Sequence, residues 1–271
     1  MDLYRNQTTL ITGASSGIGE AFAHELARRG SHLILVARTE SKLQKMAAEL
    51  SKKYSVRCEV IPADLIQAGA AKMVYQETQR RGLTVDFLIN NAGFGTYGPF
   101  DTLDPHRDHD EVMLNVTSVV NLTHQFLPDM VRRKSGGIIN VASTAAFQPL
   151  PYMAVYGATK AFVVSFSEAL WAEYRNQGVR VMALCPGATE TPFFDVVGAS
   201  EPAVGIKETP EKVVRVGLKA FEQGRCFVVS GTANYLLSLT SRFTPRSLTA
   251  LIAQQFLKPK RQATKTASAR S

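Results

Sequence analysis

Three cysteines in 271 residues, Cys58, Cys185 and Cys226, are too few, too far apart and odd in number for a disulfide framework, a CxxC redox pair or a zinc cluster. A reducing, cytoplasmic setting is the expectation. Long apolar runs are missing too: Phe227 to Leu239 is broken by Ser230, Gly231, Thr232 and Asn234, short of the ~20 residues a spanning helix needs. Met1 to Thr9 lacks the basic start and apolar run of an export signal. Glycine and proline punctuate the chain rather than cluster, and no internal repeat or linker divides it. With 45% hydrophobic residues, one large core is the expected organisation.

Acidic residues stop at Glu222. The basic residues beyond it, Arg225, Arg242, Arg246, Lys258, Lys260, Arg261, Lys265 and Arg270, account for the whole net charge of +8. The rest of the chain is electrically balanced, which argues against a nucleic-acid-binding face. Only the tail is suited to an anionic partner.

Short apolar runs at Thr9–Thr12, Leu33–Ala37, Glu59–Pro62, Phe87–Asn90, Ile138–Ala142, Arg180–Cys185 and Cys226–Val229 read as buried strands. Between them lie segments of helical period: Ile18, Phe22, Leu26; Leu43, Met46, Leu50; Met73–Arg80; Val112–Val131; Val155–Asn176; and Pro210–Glu222. This alternation predicts an α/β fold, a doubly wound, Rossmann-like parallel sheet of about seven strands with helices on both faces. Residues 1–240 make up that catalytic domain, 241–257 a helical extension of it, and 258–271 a basic, disordered tail. In such sheets ligands lie at the carboxyl ends of the strands.

Directly after the first strand comes Thr12-Gly13-Ala14-Ser15-Ser16-Gly17-Ile18-Gly19, leading into a helix. The glycines suit a tight turn, close approach of backbone to a pyrophosphate, and close helix–strand packing; the helix start offers free N–H groups. The second strand ends Ala37-Arg38, with no carboxylate to repel a 2′-phosphate. A cation there favours NADP over NAD. Asp64, at the end of the third strand and followed by Leu65, suits either an adenine amino group or the cap of the next helix. No metal-ligand cluster is evident.

Tyr156 and Lys160, in Tyr156-Gly157-Ala158-Thr159-Lys160, open a long helical pattern and lie one turn apart on one face. A phenol near its ordinary pKa of ~10 is a poor proton shuttle at neutral pH, and a nearby cation is expected to lower that value. Ser143 ends the fifth strand, suited to a substrate oxygen beside the tyrosine or to a turn cap. Asn115 falls inside a helical pattern, where an amide serves either structure or a held water. Asn90-Asn91-Ala92-Gly93 ends the fourth strand, with Gly93 leaving room for a cofactor ring or a turn.

Taken together these motifs resemble the short-chain dehydrogenase/reductase family, from about Thr8 to about Gly231, through TGASSGIG, Asp64, NNAG, Asn115, Ser143, YGATK and Cys185-Pro186-Gly187-Ala188-Thr189-Glu190-Thr191. The resemblance implies a catalytic tetrad of Asn115, Ser143, Tyr156 and Lys160. It implies that Lys160 also holds the nicotinamide ribose, and that Pro186, Gly187, Thr189 and Thr191 belong to a segment closing over the nicotinamide. Gly13, Ser15, Ser16, Gly17, Ile18, Gly19, Arg38, Asp64, Leu65, Asn91, Ala92 and Gly93 complete the expected cofactor set. Within the family the chain looks close to 3-oxoacyl and steroid reductases, and homodimers or homotetramers are common. The activity implied is interconversion of a carbonyl and an alcohol. An NADP(H)-binding sensor or scaffold without turnover is the alternative, disfavoured by the intact tetrad.

Phe94, Tyr97, Phe100, Phe147, Leu150, Tyr152, Met153, Phe193, Phe194, Val196 and Val197 surround the expected cleft. They fit an apolar substrate, or else packing against core or partner. After Thr244-Pro245, Leu248, Leu251, Ile252 and Phe256 share one helix face ahead of Lys258–Arg261. Packing on the domain or on a second subunit is the preferred reading, and peripheral contact with an anionic membrane is the other.

Overall fold

Seven strands, β1 (Thr8–Thr12), β2 (His32–Ala37), β3 (Cys58–Pro62), β4 (Phe87–Asn90), β5 (Gly136–Val141), β6 (Val179–Cys185) and β7 (Phe227–Val229), form one sheet in the order β3-β2-β1-β4-β5-β6-β7. Every pairing is parallel. The computed structural model describes residues 3–198, 207–241 and 243–259. The connecting helices are α1 (Gly17–Arg28), α2 (Glu40–Tyr54), α3 (Ala70–Arg80), α4 (Pro105–Val112), α5 (Ser118–Arg133), α6 (Ala154–Tyr174), α7 (Phe193–Val197), α8 (Pro210–Glu222), α9 (Thr232–Thr240) and α10 (Arg246–Leu257).

The strands are apolar throughout because both faces of the sheet are covered. Ile11, Leu35, Ile89, Ile139 and Met182 point to one side, against Phe22 and Leu26 of α1, Leu43 and Leu50 of α2, and Phe221 of α8. Their neighbours Leu10, Ile34, Leu88, Ile138 and Val181 point to the other, against Val74 of α3 and Leu122, Phe126 and Met130 of α5. This two-residue alternation fixes the register, since a slip of one would exchange the two cores. Winding reverses between β1 and β4, which opens a crevice at the carboxyl ends of those strands.

Two expectations about the helices need correction. The pattern Val112–Val131 is not one α-helix: α4 ends at Val112, a π-helical turn occupies Met113–Thr117, and α5 follows. The wider turn lets the buried Asn115 bond the backbone of Phe94 instead of facing solvent. The apolar face of α10 is not buried in the domain either, because Leu248, Leu251, Ile252 and Phe256 are all about half exposed or more. α10 is attached at its end, where Leu257 is buried and its carbonyl accepts a hydrogen bond from the Tyr97 hydroxyl at 2.8 Å. Apart from Lys258 and Pro259, the expected disordered tail 258–271 lies outside the described residues.

Candidate active site

The crevice is a cavity of about 850 Å³ that runs from the start of α1, past the ends of β4 and β5, to α9 and α10. At its first end α1 begins on Ser16, whose side chain makes no capping hydrogen bond, so the first-turn N–H groups face the cavity without an acceptor. Gly13, Ser15, Ser16, Gly17 and Ile18 line this end, as do Arg38, Asp64 and Leu65. Gly19 does not: a Cβ there would lie 2.2 Å from the Gly13 carbonyl oxygen, so this glycine lets the helix pack under the loop. Arg38 is exposed at the end of β2. Asp64 accepts a bond from the Ile66 N–H at 3.3 Å, the turn-capping alternative, while still lining the cavity.

The two loops at the switch point are braced together. The Asn91 amide donates to the carbonyls of Thr12 (2.9 Å) and Gly13 (3.3 Å), and the Thr12 hydroxyl accepts from the N–H groups of Asn91 and Ala92. Asn91 therefore shapes the cavity wall chiefly by holding backbone, with Ala92 and Gly93 beside it. Asn90 is structural, donating to Asn140 Oδ1 at 2.8 Å across the directly paired strands β4 and β5.

Further in, Ser143, Tyr156 and Lys160 share the cavity wall. Ser143 caps the short turn Thr144–Phe147 by accepting from the Ala145 N–H at 3.1 Å, and it shares the cavity wall with Tyr156. The turn-cap reading of Ser143 is the one this bond shows. Lys160 is buried, donates to the Val141 carbonyl at 2.9 Å, and stands 5.7 Å from the centre of the Tyr156 ring. Burial pulls its ammonium down to about 8, against the opposing pull of the Glu111 carboxylate.

The expectation that Lys160 lowers the tyrosine's pKa is not met in this structure. Burial pushes the Tyr156 phenol up to about 12, the neighbouring Ser143 hydroxyl draws it back, and the charge of Glu111 raises it again. The spacing was right, but the ammonium lies over the ring and is held by Val141 rather than by the phenol oxygen. For Asn115 the structural alternative is the one seen. Its amide donates to the Phe94 carbonyl (2.8 Å) and to the Thr159 hydroxyl (3.1 Å), and its oxygen accepts from the Phe94 N–H (3.2 Å). These bonds are structural, and the side chain lies behind Gly93, outside the cavity lining.

Of the apolar residues expected around the substrate, Phe94, Leu150, Met153, Phe193, Phe194 and Val196 line the cavity. Tyr97, Phe100, Phe147, Tyr152 and Val197 do not: Phe100 is exposed, Phe147 packs on Phe227, and Tyr97 anchors α10. The roof was missed. Leu237 of α9 and Ile252, Ala253, Phe256 and Leu257 of α10 close the far end. The shared face of α10 was visible in the sequence; the cavity beneath its edge was not. Pro186, Gly187, Thr189 and Thr191 border the opening between the two ends, and Thr191 lies beside Gly17.

The model of the short chain dehydrogenase family matches residues 7–202. The chain belongs to that family. As a short-chain dehydrogenase it is an oxidoreductase. It is 35% identical over 215 residues to the very-long-chain 3-oxoacyl-CoA reductase of Anas platyrhynchos, covering 77% of this chain and 67% of that protein. It is 34% identical to the 17-beta-hydroxysteroid dehydrogenase type 3 of Rattus norvegicus, covering 79% and 68%. Among solved structures, a short-chain dehydrogenase from Sphingobium yanoikuyae in complex with NADPH superposes with a TM-score of 0.79 at 30% identity, over 96% of this chain and 99% of that one. A 7beta-hydroxysteroid dehydrogenase superposes with a TM-score of 0.83 at 27% identity, over 93% and 99%.

Proposed function

We propose that this dehydrogenase uses NADP(H) to interconvert a carbonyl and a secondary alcohol on an apolar substrate of the 3-oxoacyl or steroid type. The observation that carries the reading is one continuous cavity with a phosphate-suited end, a serine, phenol and lysine at its middle, and an apolar far end. The unpaired first-turn N–H groups of α1 would hold the pyrophosphate, and Arg38 the 2′-phosphate. Lys160 would take the nicotinamide ribose. NADPH supplies the hydride when bound.

The residues of the chain then handle the oxygen. Ser143 and Tyr156, which line the same cavity wall, present two hydroxyls to one carbonyl oxygen and polarise it. Tyr156 delivers its proton to the nascent alkoxide, which is the stronger base, so a phenol held high by burial is a competent acid in the reductive direction. The substrate class is supported by the apolar lining and by the named activities of the relatives, 3-oxoacyl-CoA and hydroxysteroid conversion. Following NADPH absorbance against 3-oxoacyl thioesters, ketosteroids and small polar ketones tests the reading. Turnover confined to the polar ketones, or equal use of NADH, would count against it.

The same reading extends to the surroundings. Phe162 and Phe166 stack at 5.7 Å on the outer side of α6, and Phe162 is exposed, which supports assembly of a homodimer or homotetramer through that helix. Sedimentation velocity tests this. Exposed Leu236, Leu251 and Phe256 beside the cavity support a peripheral lipid contact of α9 and α10, tested by sedimentation with anionic vesicles. The free thiols of Cys58, Cys185 and Cys226 support a cytoplasmic, reducing setting.

A further inference from the structure

One cation on the cavity wall stands where its own helix gains nothing from it. Arg107 is the third residue of α4, and the first turn of a helix carries positive partial charge, which favours carboxylates over cations. Two carboxylates close to it in sequence are engaged elsewhere: Asp104 accepts from the His106 N–H at 3.0 Å, and Asp108 Oδ1 accepts from the Thr96 hydroxyl at 2.8 Å. Asp110 also lines the cavity but does not pair with Arg107. Among the described residues no carboxylate forms an ion pair with this arginine.

The side chain is held in place all the same. Its guanidinium stands 5.4 Å from the centre of the Phe94 ring, and Nη2 reaches the Val196 carbonyl at 3.5 Å, so it bridges from α4 to α7. An arginine stacked on an aromatic face keeps most of its N–H donors free and already aimed. The chemistry is close by. The backbone of Phe94 is fixed by Asn115, and a Cβ on the next residue, Gly95, would lie 3.0 Å from the Tyr156 ring and 3.2 Å from that of Phe193. From Tyr156 the rings continue to Phe193 at 5.3 Å and on to Phe194 at 5.4 Å, where the Lys207 ammonium stands 5.4 Å from the ring centre. Lys207 also has no ion-pair partner among the described residues. Two unpaired cations thus sit on rings that line the cavity beside the reactive phenol.

We propose that Arg107 is a specificity-determining residue of the substrate end: its guanidinium takes an oxyanion, a carboxylate or a phosphate, carried by an otherwise apolar ketone, and so selects such anionic ketones over uncharged ones. The inference rests on the reductase reading above and narrows its substrate class. A guanidinium binds a carboxylate or phosphate through two parallel N–H bonds, whereas an uncharged guest leaves those donors without an acceptor. Lys207 adds attraction for the same anion without the fork. The phosphates of the cofactor have their own partners in Arg38 after β2 and in the start of α1.

The test uses two matched pairs of substrates that differ in charge: a 3-oxoacyl-CoA against the same acyl group on N-acetylcysteamine, and a ketosteroid acid against its methyl ester. Wild type is expected to prefer the charged member of at least one pair in kcat/KM, and the pair that shows it tells a phosphate from a carboxylate. Arg107→Met, which keeps the stem on Phe94, should lower kcat/KM for that charged member about tenfold or more, mainly through KM, and leave its uncharged counterpart and NADPH affinity near wild type. Equal use of both members in both pairs, a preference that survives in Arg107→Met, or an equal loss of NADPH affinity overturns the proposal. A second readout needs no variant: the wild-type preference should shrink as salt is raised, and a preference indifferent to salt overturns it. If no ketone is turned over, calorimetric titration of the same pairs onto the NADP-loaded chain decides. A charge preference in binding that Arg107→Met abolishes upholds the anion site and sinks the reductase reading instead, and no preference overturns the proposal.

Discussion

Replacing Gly19 by alanine tests the construction of the cofactor end most directly. The added Cβ would stand 2.2 Å from the Gly13 carbonyl oxygen, 2.8 Å from its carbonyl carbon and 2.5 Å from the Asn91 amide nitrogen. Two of these neighbours are backbone atoms of the loop itself, and the third is the side chain that ties β4 to that loop. None is the free end of a flexible chain, so about 1 Å of separation must come from displacing α1 against the loop. Forcing a methyl into a packed site of this kind costs about 2 kcal/mol, or about 6 °C of melting temperature in a domain of this size. The same displacement moves the first-turn N–H groups of α1 away from the pyrophosphate position, and loss of one charge-assisted hydrogen bond weakens binding about tenfold or more. Thermal unfolding and fluorescence titration with NADPH measure the two effects side by side. A variant with wild-type melting temperature and wild-type NADPH affinity would refute the placement of Gly19 under the loop.

Three other outcomes are expected. Tyr156→Phe keeps the ring and its contact with Phe193 but loses the proton, so turnover should fall by at least about a hundredfold while NADPH binding and unfolding stay near wild type; retained turnover refutes the acid/base assignment. Arg38→Ala should weaken NADPH by about ten- to a hundredfold and leave NADH unchanged, as read by isothermal titration; equal losses for both cofactors would remove Arg38 from the 2′-phosphate. The Glu111 carboxyl is raised in the folded chain from its ordinary 4.5 to about 7, so its burial is tolerated below about pH 4.5 and costs stability as pH rises through 7. Urea unfolding should therefore show Glu111→Gln gaining about 3 kcal/mol on wild type between pH 5 and pH 8, and a difference independent of pH contradicts the raised value.

The parts of this architecture that could be read from residues alone are those whose signal is local. Strands buried on both faces appear as short unbroken apolar runs, and the glycine loop after β1 declares its helix because such spacing serves few other purposes. Each strand was recognised, mostly one or two residues short, since pairing extends into polar ends such as Thr8 and His32. The π-turn at Met113–Thr117 was illegible because one extra residue in a helical turn barely alters the apolar periodicity. α9 was hidden by Ser230, Gly231, Thr232 and Asn234, which look like a loop and are in fact the approach and first turn of a helix.

The site followed the same rule. Residues one helical turn apart, Tyr156 and Lys160, did fall on one wall, yet the proton affinity of Tyr156 could not be read from spacing, because desolvation by distant elements dominates it. Nothing in the sequence sets Glu111 apart from the solvated charges around it, and its burial comes from packing. Aromatic residues gave number without direction, so Phe94 and Phe193 were placed correctly while Phe100 and Phe147 were not.

The roof over the far end has a consequence for engineering. The groups that handle the proton stand on β5, α6 and the turns the sheet fixes, whereas α9 and α10 share little of the main cores and α10 is tethered through Tyr97 and Leu257. Grafting that strip from another dehydrogenase, or trimming Ile252 and Phe256, would retune which guests are admitted while the reactive centre keeps its shape.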